Sequence, residues 1–516
     1  MRNKKIALCI GLSLSLCMPS VAQKAQVTRY AVTGQSRQTI DGFGASDAWS
    51  MWQIGEWDDS LQTKVADWLF SADKGIALSV WRFNAGAGSA TQGDSAQINR
   101  DTRTEYFERQ TGQRRFLRLA KERGVPTFLA FYNSPPVHLT QNGLATNTGR
   151  GGTLNLREDA YGDYAAYIAD VLEKAKQEDG IEFGYVCPVN EPDGHWNWLG
   201  PKQEGSPATN REIARIARVL DAELQKRQLA TKILINESSD LRCMLGVYEA
   251  DWQRGNEIEC FWNPDSADTY VGNLKSVASV MAGHSYWTNT PVLSPSDPGY
   301  DSIGLYGYRR RVAEALKRVG KDFWMTELCI MGNDEEIHGG GGFDFSMEEA
   351  LYVARVMHYD LTVANARSWQ WWRAAGGDYK DGLIRMYVKG ERLGPGKGVA
   401  ERNMVRDSKL MWTLGNYSRF VRPGAVRLDM EGEMSAKGLM LSAYRNADGC
   451  VAVVAINYSG EDRVANVAMD ASLKKGKVAE AYRTSDKAGE DLKHVGKANL
   501  RKVSLPARSV TTLVVR

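Results

Sequence analysis

The chain predicts an α/β fold, a (β/α)8 TIM barrel followed by a C-terminal antiparallel β-sandwich that takes in one N-terminal strand. Two observations carry the prediction. From about residue 40 to residue 375, eight short apolar runs alternate with longer stretches of helical period; after Trp412 the helical period stops and only strand-and-turn patterning remains. The 516 residues exceed what one small core needs, so a large domain plus a smaller one is expected.

The eight runs are TIDGFGAS from Thr39, ALSVWRFN from Ala77, PTFLAFYNS from Pro126, EFGYVCPVNE from Glu182, KILINESSD from Lys232, SVMAGHSYW from Ser279, DFWMTELCI from Asp322 and ARSWQWW from Ala366. Few polar residues interrupt them, as expected of parallel strands covered on both faces. Between them lie amphipathic helices. In DAYGDYAAYIADVLEKAKQ, Tyr164, Tyr167, Ile168, Val171 and Leu172 share a face; in NREIARIARVLDAELQKR, Asn210 is the expected cap and Ile213, Ile216, Val219, Leu220 and Leu224 the buried stripe. Later segments such as LMLSAYR, CVAVVAINYS and SVTTLVVR read as strands of the sandwich, and QVTRYAVT near the start reads as one more. The expected divisions are a signal peptide over 1–22, the joining strand over 23–38, the barrel over 39–412 and the sandwich over 413–516.

Composition narrows the function. Met1 to Ala22 combine a basic start, an apolar run and small residues Ser20-Val21-Ala22, the pattern of an export signal cut after Ala22; bulky Leu16 disfavours a lipid anchor on Cys17. Without that segment the basic and acidic residues are equal at 62, so no basic field invites nucleic acid, and no later run is long enough to span a bilayer. Export places the protein in the periplasm or at the surface of a Gram-negative type of cell, and a monomer is expected. Five cysteines remain, without CxxC spacing, which indicates neither a zinc cluster nor a dense disulfide framework and leaves a Cys243–Cys260 bridge open.

Barrels of this kind carry their chemistry at the carboxyl ends of the strands. There the sequence offers Asp41, Asp47, Arg82, Asn84, Asn133, Asn190, Glu191, Glu237, His284, Tyr286, Glu327, Trp369, Gln370 and Trp371. Glu191 and Glu327 end the fourth and seventh runs and can face each other across the mouth. Two carboxyls in different environments are what glycosidic cleavage requires: one protonated, to keep the leaving oxygen from departing as an alkoxide, and one ionised, to attack or to activate water. Pro192 disfavours a helical Glu191 and ends the strand there. Arg82 can keep a neighbouring carboxylate ionised; His284 and Tyr286, two residues apart, can both point inward, with Tyr286 donating to Glu327. Trp196, Trp198, Trp287, Trp369, Trp371 and Tyr132 offer faces for sugar stacking, and Asp193, Glu237 and Asp240 can bind hydroxyls. Other chemistries lack their residues. GHSYW misses the closing glycine of a serine-esterase elbow, NAGAGSATQG misses the third glycine of a dinucleotide loop, HGGGGFDF lacks the lysine of a phosphate loop and reads as a mobile lid, and six histidines are few for a metal hydrolase. No metal or other cofactor is expected.

In order along the chain, DGFGAS, VWRFNAGAGS, NSPP, PVNEP, GHSYW, TELCIMG, WQWW and GNYSRFVRPGA resemble glycoside hydrolase family 30, most of all its endo-β-1,6-galactanase-like branch. The resemblance implies a secreted retaining hydrolase of β-linked polysaccharide, with Glu191 as acid/base, Glu327 as nucleophile and Asn190 on the hydroxyl beside the attacked carbon. Arabinogalactan side chains are the first substrate it implies, with β-1,6-glucan and glucuronoxylan as alternatives. The loops NGLATNTGRGG and HGGGGFDF match no family motif. A barrel that binds glycan without cutting it is the rival of another class; retention of both glutamates counts against it.

Overall fold

The computed structural model describes residues 27–88, 110–197, 203–247, 253–332, 334–473 and 476–516. The segment read as an export signal and Trp198 lie outside them.

Strand β1 (Val27–Thr39) belongs to the sandwich, and the barrel begins with β2 (Gly42–Ser46). It continues through β3 (Val80–Asn84), β4 (Thr127–Phe131), β5 (Tyr185–Cys187), β6 (Lys232–Ile233), β7 (Glu237–Ser238), β8 (Val280–His284), β9 (Asp322–Glu327) and β10 (Ala366–Gly376). β6 and β7 are two pieces of one barrel strand: β6 pairs with β5, β7 pairs with β8, and single bridges Asn190↔Glu237 and Ile233↔Val277 join each piece to the opposite neighbour. The parallel ring therefore closes with eight strand positions, one for each apolar run. Strand alternation then sorts the side chains. In β3, Trp81 packs outward on Phe70 and Phe116 of the surrounding helices, at ring separations of 4.9 and 6.4 Å, which turns Arg82 toward the barrel interior.

The helix Asn210–Lys226 buries Ile213, Ile216, Leu220 and Leu224 as expected, but its cap is Thr209. Thr209 and Glu212 form a reciprocal capping box, while the Asn210 amide, already inside the helix, donates to Gly255 O at 2.8 Å. Two further elements depart from the sequence expectation. Strands β11 (Gly382–Tyr387) and β12 (Met404–Asp407) extend the sheet from β10, and a helix spans Lys409–Ser418, across the boundary expected at 412.

The remaining strands, β13 (Val426–Glu431), β14 (Leu439–Arg445), β15 (Val451–Asn457), β16 (Arg463–Met469), β17 (Val478–Ser485), β18 (Lys493–Asn499), β19 (Val503–Leu505) and β20 (Ser509–Val515), complete the sandwich. Their order is β18-β17-β20-β15-β14-β13-β1-β16-β19, antiparallel except where β1 runs parallel to β16. β14 and β15 are buried on both faces. Leu439, Leu441, Val451 and Val453 point into the sandwich, and Met440, Tyr444, Ala452 and Val454 into the core shared with the barrel. Such double burial explains why these strands read as continuous apolar runs. All five cysteines among the described residues are free thiols, so Cys243 and Cys260 do not form the bridge left open by the sequence.

Candidate active site

Arg82 lies at the centre of the site, fully buried, its guanidinium 3.9 Å over the Phe131 ring. It donates to Glu327 Oε2 at 3.0 Å and to Glu237 Oε2 at 2.7 Å. His284 continues the chain, with Nε2 3.2 Å from Glu237 Oε2 and Nδ1 2.7 Å from Glu191 Oε1 and 3.6 Å from Glu327 Oε1. The Tyr286 hydroxyl donates to Glu327 Oε1 at 2.7 Å. Both oxygens of Glu327 therefore accept hydrogen bonds, whereas Glu191 has one such partner and keeps its side chain 12 % exposed at the mouth. One carboxylate oxygen each of Glu191 and Glu327 and a ring nitrogen of His284 all lie within 4.8 Å of one another. Beside them Asn190 donates through Nδ2 to Asn133 Oδ1 at 2.8 Å, and Asn190 Oδ1 has no protein partner among the described residues.

Electrostatics divides the roles. Burial disfavours a charged His284, yet Glu327 and the contacts with Glu191 and Glu237 carry its pKa up to about 10. Burial would likewise raise Glu237, but Arg82 and then His284 hold it at about 2. Burial pushes the Glu327 carboxyl above its ordinary value, with His284 and Arg82 pulling the other way. Two cations, Arg82 and His284, thus stand among three carboxyls.

Glu191 is kept out of the right-handed helix, as the proline after it predicts, and adopts a left-handed backbone with φ of 46°. Its N–H is held by Glu237 O at 2.7 Å.

Several expected sugar contacts are corrected by burial. Trp369 and Trp371 are fully buried and face away from the mouth, their indoles donating to Asp360 Oδ2 at 2.9 Å and Asp381 O at 2.7 Å. The inward parity of SWQWW belongs to Gln370 and Trp372, the latter edge-on to Trp49 at 5.2 Å and near Phe131 at 6.2 Å. Sequence reasoning missed Trp372, although the alternation with Ser368 and Gln370 contains the signal. Tyr132 is core, packed on Tyr164 and Tyr167. Trp196 is buried, and its indole is spent on Glu191 O. Glu237 is wholly buried as a counter-ion and cannot reach a sugar hydroxyl. Asp193 is tied to Ser238 Oγ at 3.1 Å and Ser239 N at 3.0 Å, and Asp240 caps Leu241–Leu245. Trp287, half exposed and 6.2 Å from Tyr286, remains available as a platform. HGGGGFDF, expected as a lid, is pinned: Gly341 bridges Tyr379, and Lys380 Nζ donates to Gly339 O at 2.9 Å and Gly341 O at 3.1 Å.

An eight-stranded parallel barrel with paired carboxyls at strand ends and a fused sandwich defines a class of polysaccharide-cleaving hydrolases. The chain belongs to O-glycosyl hydrolase family 30: that family's profile matches residues 26–385, and the profile of its β-sandwich domain matches residues 424–513. It is thus a retaining glycoside hydrolase. It is 26% identical over 268 residues to an endo-β-1,6-galactanase of Hypocrea rufa, covering 46% of this chain and 54% of that one. It is 25% identical over 415 residues to glucuronoxylanase XynC of Bacillus subtilis, covering 77% and 75%. The chain therefore spans about half the length of the galactanase. Among solved structures, a conserved exported protein from Bacteroides fragilis superposes with a TM-score of 0.82 at 32% identity, covering 95% of this chain and all of that one. An endo-β-1,6-glucanase shares the fold, with a TM-score of 0.64 at 16% identity and 95% coverage of each.

Proposed function

We propose that the protein is an exported endo-β-1,6-galactanase acting on arabinogalactan side chains, with Glu327 as nucleophile and Glu191 as acid/base. The observation that carries the division of roles is the asymmetry of hydrogen bonding. Glu327 accepts from Arg82 and Tyr286 on separate oxygens, the pattern of a carboxylate, while Glu191 leaves one oxygen toward the open mouth. Carboxylate oxygens of the two residues within 4.8 Å of each other support a direct double displacement, for which carboxyls stand about 5–5.5 Å apart, over inversion, which needs roughly 6.5–9.5 Å.

Glu327 attacks the anomeric carbon as Glu191 protonates the departing oxygen, giving a glycosyl ester. Glu191, now ionised, takes a proton from water, which opens the ester with net retention. The Tyr286 and Arg82 hydrogen bonds weaken the leaving carboxylate's need for other stabilisation in the second step. Asn190 Oδ1 accepts from the hydroxyl next to the attacked carbon, a contact that tightens as the ring flattens.

The galactanase relative and the branch motifs support the sugar; the export-signal pattern and the exported Bacteroides relative support secretion to the periplasm or cell surface. A glucuronoxylanase is the second reading, favoured by the longer match to XynC. Product analysis on arabinogalactan, β-1,6-glucan and glucuronoxylan tests the choice. Galacto-oligosaccharides from the wild type and none from Glu327→Gln are expected; aldouronic xylo-oligosaccharides would select the second reading, and no reducing ends from any of the three would favour a binding protein.

A further inference from the structure

The loop after Glu191 is built around one indole. Trp196 Nε1 donates to Glu191 O at 2.9 Å, the carbonyl that Gly194 N also reaches at 3.2 Å. The ring lies against two glycines. A Cβ on Gly194 would stand 2.4 Å from the indole nitrogen, and one on Gly205 would stand 2.2 Å from Cδ2, so a side chain at either place displaces the ring. The carbonyl of Trp196 accepts from Asn147 N at 2.6 Å, and Gly205 N donates to Ala145 O at 2.9 Å. The loop after β4, which matches no family motif, is thereby laced to the loop after β5 around this ring. Only 9% of Trp196 is exposed.

Such construction answers a local need. Glu191 has φ of 46° and Trp196 itself 50°; left-handed backbone is unfavourable for a non-glycine residue and persists only where the surroundings impose it. We infer that Trp196 is a positioning residue for the acid/base: its indole N–H fixes the Glu191 carbonyl, and with it the strained backbone from which the carboxyl reaches the leaving oxygen. The inference rests on the acid/base role proposed for Glu191. Glu327 stands on another strand with its own partners, so loosening residue 191 impairs proton donation and leaves nucleophilic attack intact.

The test separates those steps by leaving group. Trp196→Phe removes the N–H and keeps most of the ring; Gly205→Ala pushes on the ring from outside the catalytic loop. Both are assayed, beside wild type and Glu191→Ala, on phenyl and 2,4-dinitrophenyl β-glycosides of β-1,6-galactobiose, β-1,6-glucobiose and β-1,4-xylobiose, with thermal melts as a folding control. For the disaccharide that wild type cleaves, kcat/KM of both positioning variants on the phenyl glycoside is expected to fall by about 10–100-fold, the scale of a misplaced catalytic group. On the dinitrophenyl glycoside, whose leaving group needs no proton, it should stay within about threefold of wild type. Equal losses on both leaving groups, or none on either, would overturn the inference and make Trp196 a packing residue. Glu191→Ala reports separately: if its loss does not depend on the leaving group, the acid/base assignment itself falls.

Discussion

In the sandwich the inward side chains are Leu441, Val453, Ala481 and Leu513; at the same depth inside the barrel stand Arg82, Glu237, His284 and Glu327. The first set stabilises simply by leaving water. The second set must repay the cost of burying charge through near-ideal contacts, and pairs of that kind rarely outperform an apolar core of similar volume. What the barrel gains is a preset field: two cations poised against a nucleophile. Stability and chemistry are thus concentrated in different parts of one chain.

The contrast can be broken from either side. The largest effect is expected from Glu327→Gln, which should lower kcat/KM by about 10⁴-fold or more without lowering the urea midpoint; a folded variant that retains activity would remove the nucleophile assignment. Next comes Arg82→Met, which leaves Glu237 and Glu327 without their cation and should cost about 3–5 kcal/mol in urea titrations; a neutral result would mean the network carries no stability. Leu513→Ala in the sandwich should cost about 3 kcal/mol by the same measurement with kcat unchanged, whereas a fall in kcat would show the two regions to be coupled.

The acid dependence sharpens the same point. Glu237 has a folded pKa of about 2, below its ordinary 4.5, so its contribution is complete above the ordinary value and disappears as pH falls through about 2. His284, raised to about 10 from 6.5, contributes fully below 6.5 and loses its share as pH rises through about 10. Urea midpoints of wild type should therefore drop between pH 4.5 and 2 more steeply than those of Glu237→Gln; parallel curves would contradict the buried ion pair. The smallest effect belongs to the rim: Trp287→Ala should raise KM about 2–10-fold, the worth of one stacking face, with kcat and midpoint unchanged.

The sequence made the barrel legible because burial on both faces strips polar residues from all eight strands, and it made Glu191, Glu327, Arg82 and Tyr286 legible because each sits where an apolar run ends. Direction was harder to read. Whether Trp369 or Trp372 faces the mouth depends on alternation through β10, where the pairing with β2 shifts register between Trp371 and Arg373. Glu237 looked like an accessible acid until the interrupted strand that carries it turned it onto Arg82. Trp196 lies in a loop, where exposure is the default; its burial depends on Gly205 and Ala145, too distant in sequence to announce the contact. The helix Lys409–Ser418 was hidden because Gly415 weakens its pattern, yet that glycine lets Ile76 and Leu492 pack against it.

Strand β1 lies between β13 and β16, in the interior of the sheet and not along its margin. The chain's first described segment must therefore wait, through synthesis of the entire barrel, for neighbours supplied hundreds of residues later. Trimming it would open a slot through the middle of the ladder and expose two unsatisfied edges to any passing extended peptide. An intact first strand would be a condition for assembly of the distant carboxyl-terminal sandwich.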